Sequence, residues 1–513
     1  MQLDSKGISR GILILVGLLV GILMAVSITT NPSGGLAAMI PMITVSLSIL
    51  AFIKPKSGLF ALVPLVIWVD EFKRLAIYYG GANSMTVMQT LAMPFVVLGA
   101  LNLGFILHAL FGKIKMDGLC FVFYTFAAIV GGGVFFTMHG SSLPERAQRA
   151  ANLAGYITLI PIAYTYLKSF DEWRRFFSLQ VIFAIPAAAW AIKQYYYGFD
   201  QIEWEYARSG LSRVHSGQML LFENPRTFGF LGSSSALGCV AIYSTYALWH
   251  TLRYQKHRVL WIAGSLILVW VLYVSTQRTI LVYPLIVAAA AWLFRTRLRV
   301  FFAYTAVTST FVVGVLSSDY MLNDGLERIN SVIQSDSSWG SRVLSVNTFS
   351  DRLRGWTRLK RPESWTLTGS GQLRQSGALG TDQVAGTDDD NHDVINKVLI
   401  NYGVFGLLGI LIPGFFVVRV LHQSVFKAED KETRNDAAFV LALALPAIGM
   451  ALMGGDNFNT NPINMQTWTC FAGVLVSRGY ILRKHQIEIA RQPLVNDGPI
   501  MPVRNLSMPS RQS

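Results

Sequence analysis

The chain has 513 residues, of which 52% are hydrophobic and only 14% are charged, a composition that argues against an ordinary water-soluble enzyme and indicates a multispanning membrane protein. The formal net charge of +14 gives no evidence of a nucleic-acid partner, because the excess Lys and Arg fall in alternate loops between apolar segments. The three cysteines, Cys120, Cys239 and Cys470, all lie in apolar segments, so neither a disulfide framework nor a cysteine metal site is supported.

Apolar segments of about twenty residues, the length that crosses a bilayer as a helix, recur along the chain. The first resembles a signal peptide, but its long apolar core and the span that follows closely favour a retained helix. The third segment, 58–69, is short, and the sequence leaves open whether it crosses the membrane fully. We predict about fourteen spans, at 11–29, 35–53, 58–69, 88–110, 118–137, 150–167, 177–192, 229–250, 259–275, 279–294, 300–317, 395–418, 437–453 and 464–481.

Basic residues mark every second loop when the N-terminus is placed in the cytoplasm, as the positive-inside rule requires. The cytoplasmic loops are then those that contain Lys54 and Lys56, Lys113 and Lys115, Lys168, Arg174 and Arg175, Arg253, Lys256 and Arg258, Arg295, Arg297 and Arg299, and Lys427, Lys431 and Arg434. Both termini are predicted to be cytoplasmic. Residues 482–513 contain four prolines without apolar periodicity, which predicts a disordered cytoplasmic tail.

The predicted domains follow from these spans. Residues 1–317 form spans one to eleven, with a smaller outer loop at 193–228, and residues 393–481 form the C-terminal spans. Residues 318–392 form one large periplasmic loop with short helices of its own. The chain is therefore predicted to be an all-α polytopic membrane protein.

Arg278 is the most costly polar residue in this arrangement. Only Ser275, Thr276, Gln277 and Arg278 separate two apolar spans, so the arginine is predicted to lie at the outer tip of a tight hairpin. An arginine at membrane depth costs a few kcal/mol or more unless it is paired or faces water. Its guanidinium suits a phosphate, which it can bind with two parallel hydrogen bonds, while the alternative is an arginine that extends to lipid headgroups.

Arg226 lies in Asn224-Pro225-Arg226-Thr227-Phe228-Gly229, where a proline and several glycines open an apolar span on the same side. Such a segment allows the backbone to approach a ligand and leaves N–H groups free at the start of a helix. It therefore predicts an anion site, with a helix cap and one surface cation as the alternative.

His392 follows the acidic residues Asp388–Asp390 and comes just before an apolar span, at the predicted outer surface. An imidazole there can take a proton from a hydroxyl group near neutral pH. The alternative is a polar residue in the first turn of the helix. The three consecutive aspartates and Asp393 could bind Mg²⁺ or Ca²⁺, but they lack the alternating spacing of a calcium loop. A solvated acidic run at the start of a helix is favoured, and we predict neither a metal ion nor another cofactor.

Four segments in chain order form a recognisable set: Arg226 to Gly238, Gln277-Arg278-Thr279, Arg354-Gly355-Trp356 to Leu367-Thr368-Gly369-Ser370-Gly371, and Asn391-His392 with Leu399 and Asn401-Tyr402-Gly403-Val404-Phe405-Gly406-Leu407. Together they resemble the O-antigen ligase and O-antigen polymerase superfamily. Ser233-Ser234-Ser235 stands where the family usually has Asn-Pro-Asn, and Asp393 stands where it has a small polar residue.

This resemblance implies a GT-C-like glycosyltransferase of the bacterial inner membrane that works at the periplasmic face. The donor would be an undecaprenyl-diphosphate-linked oligosaccharide and the acceptor a glycan, with a chain-length regulator and a flippase as further partners. By resemblance, Arg226 and Arg278 would hold the diphosphate and His392 would act on the acceptor. Further candidate substrate contacts are Arg354, Trp356, Asn391 and Lys397.

The length of the outer loop favours a polymerase that joins repeat units into exopolysaccharide, capsule or O-antigen. A ligase that transfers glycan to lipid A core and a protein O-oligosaccharyltransferase share the donor chemistry and stay open. A flippase or transporter is the alternative from another class, although such proteins commonly have repeated halves and charges deep in their spans.

Overall fold

The computed structural model describes residues 32–80, 84–116, 118–137, 143–209 and 258–275, with short stretches within 220–244, 360–367, 399–419 and 464–473. These residues are mostly helical. The helices are α1 (Pro32–Ile53), α2 (Pro55–Gly80), α3 (Ser84–Leu110), α4 (Gly118–Thr137), α5 (Leu143–Ala154), a 3₁₀ turn (Gly155–Thr158), α6 (Leu159–Tyr166), α7 (Phe170–Tyr197), α8 (Gln201–Arg208) and α9 (Arg258–Val274). Two short strands, β1 (Leu220–Leu221) and β2 (Asn224–Pro225), form an antiparallel pair.

The apolar segments at 35–53, 88–110, 118–137 and 259–275 form helices close to their predicted bounds, and α7 extends the predicted span 177–192 at both ends. Within the described part of the chain, the helices Met85–Leu110 and Asp171–Tyr197 are long and apolar enough to cross a membrane. The predicted spans that lie outside the described residues stay predictions.

Helix α2 extends beyond the short third predicted span, 58–69, at both ends. It runs from Pro55 to Gly80 without interruption, past the charged residues that follow position 69. The helix continues because Asp70, Lys73 and Arg74 are buried against other parts of the protein instead of facing solvent or lipid. Charges end a span only when nothing in the protein compensates them.

Local signals define the ends of α7 and α8. The Ser169 hydroxyl accepts a hydrogen bond from the backbone N–H of Glu172 at the start of α7, and Gly198 ends that helix with a φ of 76°. Asp200 and Glu203 then form a reciprocal capping box that starts α8. The two helices are therefore joined by a short connection that holds Glu203 beside the end of α7.

Helices α2 and α7 run in the same direction. Near their starts Lys56 forms an ion pair with Glu172 at 2.6 Å, and further along the Trp68 indole N–H donates to the carbonyl oxygen of Phe183 at 3.0 Å. Near their ends Arg74 of α2 and Gln194 of α7 both bond to Gly229. Parallel neighbours require that the chain cross back between them, as alternating spans do.

Basic residues collect where α2 and α7 begin, which we call the cationic end. The end of α3 belongs here too, because Gly104 packs against the backbone of Phe52 near the end of α1. His108 Nδ1 lies 3.3 Å from the Tyr166 hydroxyl, which brings the end of α6 to the same place. The cationic end contains Lys54, Lys56, Lys113, Lys115, Lys168 and Arg175, all exposed.

Tyrosines collect at the opposite end of the same two helices, which we call the tyrosine end. Tyr78 and Tyr79 lie in the last turn of α2, and Tyr195, Tyr196 and Tyr197 lie in the last turn of α7. The Tyr197 side chain is 85% exposed. Tyrosine is enriched where membrane proteins meet the headgroup layer, because its ring is apolar and its hydroxyl is polar.

One apolar core joins the helices to later parts of the chain. It includes residues from α1 to α7 together with Leu399, Leu407, Met465 and Trp468. The stretch 464–473 packs on the first half of α7, where Gln180 donates to the Thr469 hydroxyl at 3.3 Å. The described residues within 399–407 and 464–473 are therefore part of the same bundle.

Candidate functional site

The turn Thr227–Gly232, which we call the anchored turn, directly follows Arg226 and lies at the tyrosine end. Gln194 of α7 binds its backbone. The Gln194 Oε1 atom accepts hydrogen bonds from the N–H groups of Phe228, at 3.0 Å, and Gly229, at 2.9 Å. The glutamine is fully buried, so no water competes for these bonds.

Arg74 of α2 holds the same turn from another side. Its Nη2 atom donates to the carbonyl oxygen of Gly229 at 2.6 Å, and its guanidinium lies 5.0 Å from the Phe228 ring and 5.8 Å from the Tyr206 ring. Only 1% of the arginine is exposed. The ammonium group of Lys73 also lies over the Tyr206 ring, at 5.5 Å, but a guanidinium can donate to a carbonyl oxygen and contact two rings at the same time.

Two glycines of the anchored turn are required by close packing. Gly229 has a φ of 58°, and a Cβ atom there would collide with the carbonyl oxygen of Ala187 in α7. A Cβ atom at Gly232 would come within 2.7 Å of the Asp70 carboxylate. Glycine at positions 229 and 232 therefore allows the backbone of the turn to pack closely against α7 and α2.

Glu203 of α8 supports Gln194 from behind. It is a buried carboxylate that accepts from the indole N–H of Trp190 at 2.7 Å, from the backbone N–H of Asp200 at 2.7 Å and from the Gln194 amide. These bonds compensate the burial of its charge. They also determine which end of the Gln194 side chain is the oxygen, because Glu203 needs a donor.

Acidic and basic side chains alternate around this site. Glu71 Oε2 lies 3.0 Å from Arg74 Nη2, a distance typical of an ion pair, although the angle is not that of a hydrogen bond. Burial raises the pKa of Glu71; Arg74 opposes this rise, and the carboxylates of Glu203, Asp200 and Asp70 add to it. The site is thus an interior charge network next to the position of Arg226.

The anchored turn also contacts the end of α9. The Thr227 hydroxyl donates to the carbonyl oxygen of Val274 at 2.9 Å, and both groups are buried. Thr227 is adjacent to Arg226 in the chain, and Val274 precedes Arg278 by four residues. A chain of four residues spans at most about 14 Å. The anchored turn is therefore in direct contact with the end of the helix that precedes Arg278 by four residues.

A second pair of segments with family-like sequence is joined in the same way. The N–H of Val404 donates to the carbonyl oxygen of Thr366 at 2.9 Å, and the N–H of Phe405 donates to that of Leu367 at 3.3 Å. Gly403, just before this contact, has a φ of 65° that favours glycine. The backbone just before Gly369 and Gly371 of the large loop thus pairs with the segment that follows His392.

The side chains predicted to carry the chemistry lie outside the described residues: His392, Arg226, Arg278, Arg354, Trp356, Asn391 and Lys397. Arg74, Gln194 and Glu203 were not predicted from the sequence as site residues. The available signal was the charged run Asp70-Glu71-Phe72-Lys73-Arg74, which is costly next to a membrane span unless it is paired.

A metal site is not apparent in the described portion, where no three His, Cys, Asp or Glu side chains are grouped to hold an ion. The acidic run Asp388–Asp390 lies outside that portion. No known protein-family model matches the chain, and no curated protein matches it in sequence.

Proposed function

We propose that the protein is a glycosyltransferase of the bacterial inner membrane that polymerises undecaprenyl-diphosphate-linked oligosaccharide repeat units at the periplasmic face. The observation that carries this proposal is the hydrogen bond between Thr227 and Val274, because Thr227 directly follows Arg226 and Val274 precedes Arg278 by four residues, and these two arginines are the ones assigned to one diphosphate. The pairing of Thr366 with Val404 supports the same grouping for the other two family-like segments.

In the proposed reaction, the acceptor hydroxyl oxygen forms a bond to the anomeric carbon of the donor, and the bond from that carbon to the diphosphate oxygen breaks. Undecaprenyl diphosphate leaves with the electron pair, and His392 accepts the hydroxyl proton. Arg226 and Arg278 stabilise the charge that develops on the leaving diphosphate, a role that does not require a metal ion. Arg354, Trp356, Asn391 and Lys397 would contact the sugars.

The distribution of side chains supports the membrane topology within this proposal. Exposed Lys and Arg occupy one end of the parallel helices α2 and α7, and tyrosines occupy the other. The positive-inside rule assigns the cationic end to the cytoplasm. The tyrosine end, which carries the anchored turn, then faces the periplasm, and the fourteen-span arrangement with cytoplasmic termini follows from continued alternation.

The test is incubation of the purified protein with undecaprenyl-diphosphate repeat units, with and without a chelator. A ladder of products that survives chelation is expected, and Arg278→Ala and His392→Ala are expected to abolish it. Transfer that occurs only after lipid A core is added would identify a ligase, and transfer only to a protein acceptor would identify an oligosaccharyltransferase.

Experiments in cells separate this enzyme from a flippase. Cells that carry Arg278→Ala or His392→Ala should accumulate single lipid-linked repeat units in the outer leaflet, because delivery is intact and joining is not. Accumulation in the cytoplasmic leaflet would refute the proposed function and indicate transport.

A further inference from the structure

We infer that Gln194 and Arg74 are positioning residues, which hold the backbone on one side of Arg226 so that its guanidinium meets the donor diphosphate in a fixed orientation. This inference rests on the proposed function, since it assigns the two residues a role that acts through Arg226.

The backbone is anchored on both sides of position 226. Before it, Asn224 and Pro225 pair with Leu221 and Leu220 in the short antiparallel ladder. After it, Thr227 is bonded to the end of α9. The residues on both sides of position 226 are therefore held by two independent sets of contacts.

Gln194 and Arg74 provide the most numerous of these contacts, because they bind three of the four polar backbone groups of Phe228 and Gly229; the fourth, the Phe228 carbonyl oxygen, accepts from the N–H of Leu231. Gln194 Oε1 accepts from the N–H groups of Phe228 and Gly229, and Arg74 Nη2 donates to the Gly229 carbonyl oxygen. Both side chains are buried and come from different helices, which pack together along their length. The turn therefore cannot shift without breaking bonds to α2 and α7.

The nature of these two residues also argues for a precise role. A turn can satisfy its backbone groups with water, which is available at a membrane surface, so burying an arginine and a glutamine for this purpose is costly. Binding groups need placement within about 0.5 Å to act on a charged ligand, and rigid helices provide that placement. The Gln194 amide is itself oriented by Glu203.

The test measures binding of undecaprenyl diphosphate and of undecaprenol to the full-length protein in lipid nanodiscs. Comparison of the two lipids isolates the contribution of the diphosphate, because general damage to the bundle weakens both. The variants are Gln194→Leu, Arg226→Ala and the double variant. Tyr124→Phe is the matched control, since it removes a 2.7 Å hydrogen bond to Asn102 between α3 and α4, away from the turn.

We expect Gln194→Leu to weaken binding of undecaprenyl diphosphate by about tenfold, as loss of one well-placed charged contact does, and to leave undecaprenol binding unchanged. Arg226→Ala should weaken diphosphate binding at least as much. The double variant should match Arg226→Ala alone, because a positioning residue has no effect once the positioned group is absent. Tyr124→Phe should bind both lipids normally.

The outcomes that refute the two claims differ. If Arg226→Ala binds undecaprenyl diphosphate normally, the proposed function fails. If Arg226→Ala weakens binding but Gln194→Leu changes neither lipid, weakens both equally, or adds its own factor in the double variant, only the positioning inference fails. Should Gln194→Leu not fold, Arg74→Lys serves instead under the same criteria, since it disturbs the bond from the other positioning residue to the Gly229 carbonyl oxygen and retains the positive charge.

Discussion

Substitution of Gly229 by alanine provides a quantitative test of the anchored turn. Gly229 has a φ of 58°, and placing an L-residue in that region costs about 1–2 kcal/mol. A Cβ atom would also collide with the Ala187 carbonyl oxygen, which belongs to the rigid backbone of α7, and such overpacking costs about 1–3 kcal/mol. The substitution should therefore destabilise the protein by about 2–5 kcal/mol.

Two other glycines separate these contributions. Gly112 has a φ of 69° with open space around it, so Gly112→Ala should show only the backbone cost of about 1–2 kcal/mol. Gly99 lies within α3, and a Cβ atom there meets nothing within 4 Å, so Gly99→Ala should stabilise the helix by up to about 1 kcal/mol.

The assay is the melting temperature of each variant in detergent, combined with hydrogen exchange of the peptide that spans the anchored turn. We expect the melting temperatures to fall in the order Gly99→Ala, unsubstituted protein, Gly112→Ala, Gly229→Ala. Exchange at Phe228 should accelerate only in Gly229→Ala, because only that change disturbs the bonds to Gln194. Equal melting of Gly229→Ala and Gly112→Ala would refute the close packing of the turn on α7.

Three further predictions address the ends of the helices and the charge network. In a background without native cysteines, Lys56→Cys should react with an impermeant maleimide only from the cytoplasmic side and Tyr197→Cys only from the periplasmic side; the reverse pattern would overturn the assigned orientation. Arg74→Lys should lower the melting temperature clearly although the charge is retained, because a single ammonium group cannot keep the bond to the Gly229 carbonyl oxygen together with both ring contacts, and an unchanged value would contradict that account. Burial raises the pKa of Glu71 above its ordinary value of 4.5, so ionisation of this carboxyl group costs stability. Glu71→Gln should therefore gain stability relative to the unsubstituted protein as the pH rises from about 4.5 through the raised pKa. A stability difference that does not depend on pH would contradict this.

The helices could be predicted from sequence because their cause is local. A run of apolar residues long enough for a bilayer must satisfy its backbone groups internally, and in lipid a single segment can do so only as a helix. The predicted segments 118–137 and 259–275 match α4 and α9 within one residue. The collection of Lys and Arg at one end of the described helices likewise follows from their loop positions.

The length of α2 could not be predicted in the same way. Whether Asp70, Lys73 and Arg74 end a helix or continue it depends on the groups they meet, and the partner of Arg74 lies 155 positions away in the chain. Gln194 gives even less local indication, since it is one polar residue between a lysine and three tyrosines. Its role is apparent only from the backbone N–H groups that it binds.

The sequence by itself determined the helical character of the described residues, because composition and spacing act over a few turns of chain; the alternation of the loops and the roles of the segments around Arg226, Arg278 and His392 stay predictions. Only the tertiary structure decided that Thr227 meets Val274, that Thr366 meets Val404, and that Arg74 and Gln194 close around one turn. The physical reason is that a buried hydrogen bond requires a partner at about 3 Å, and that partner is supplied by packing between distant helices.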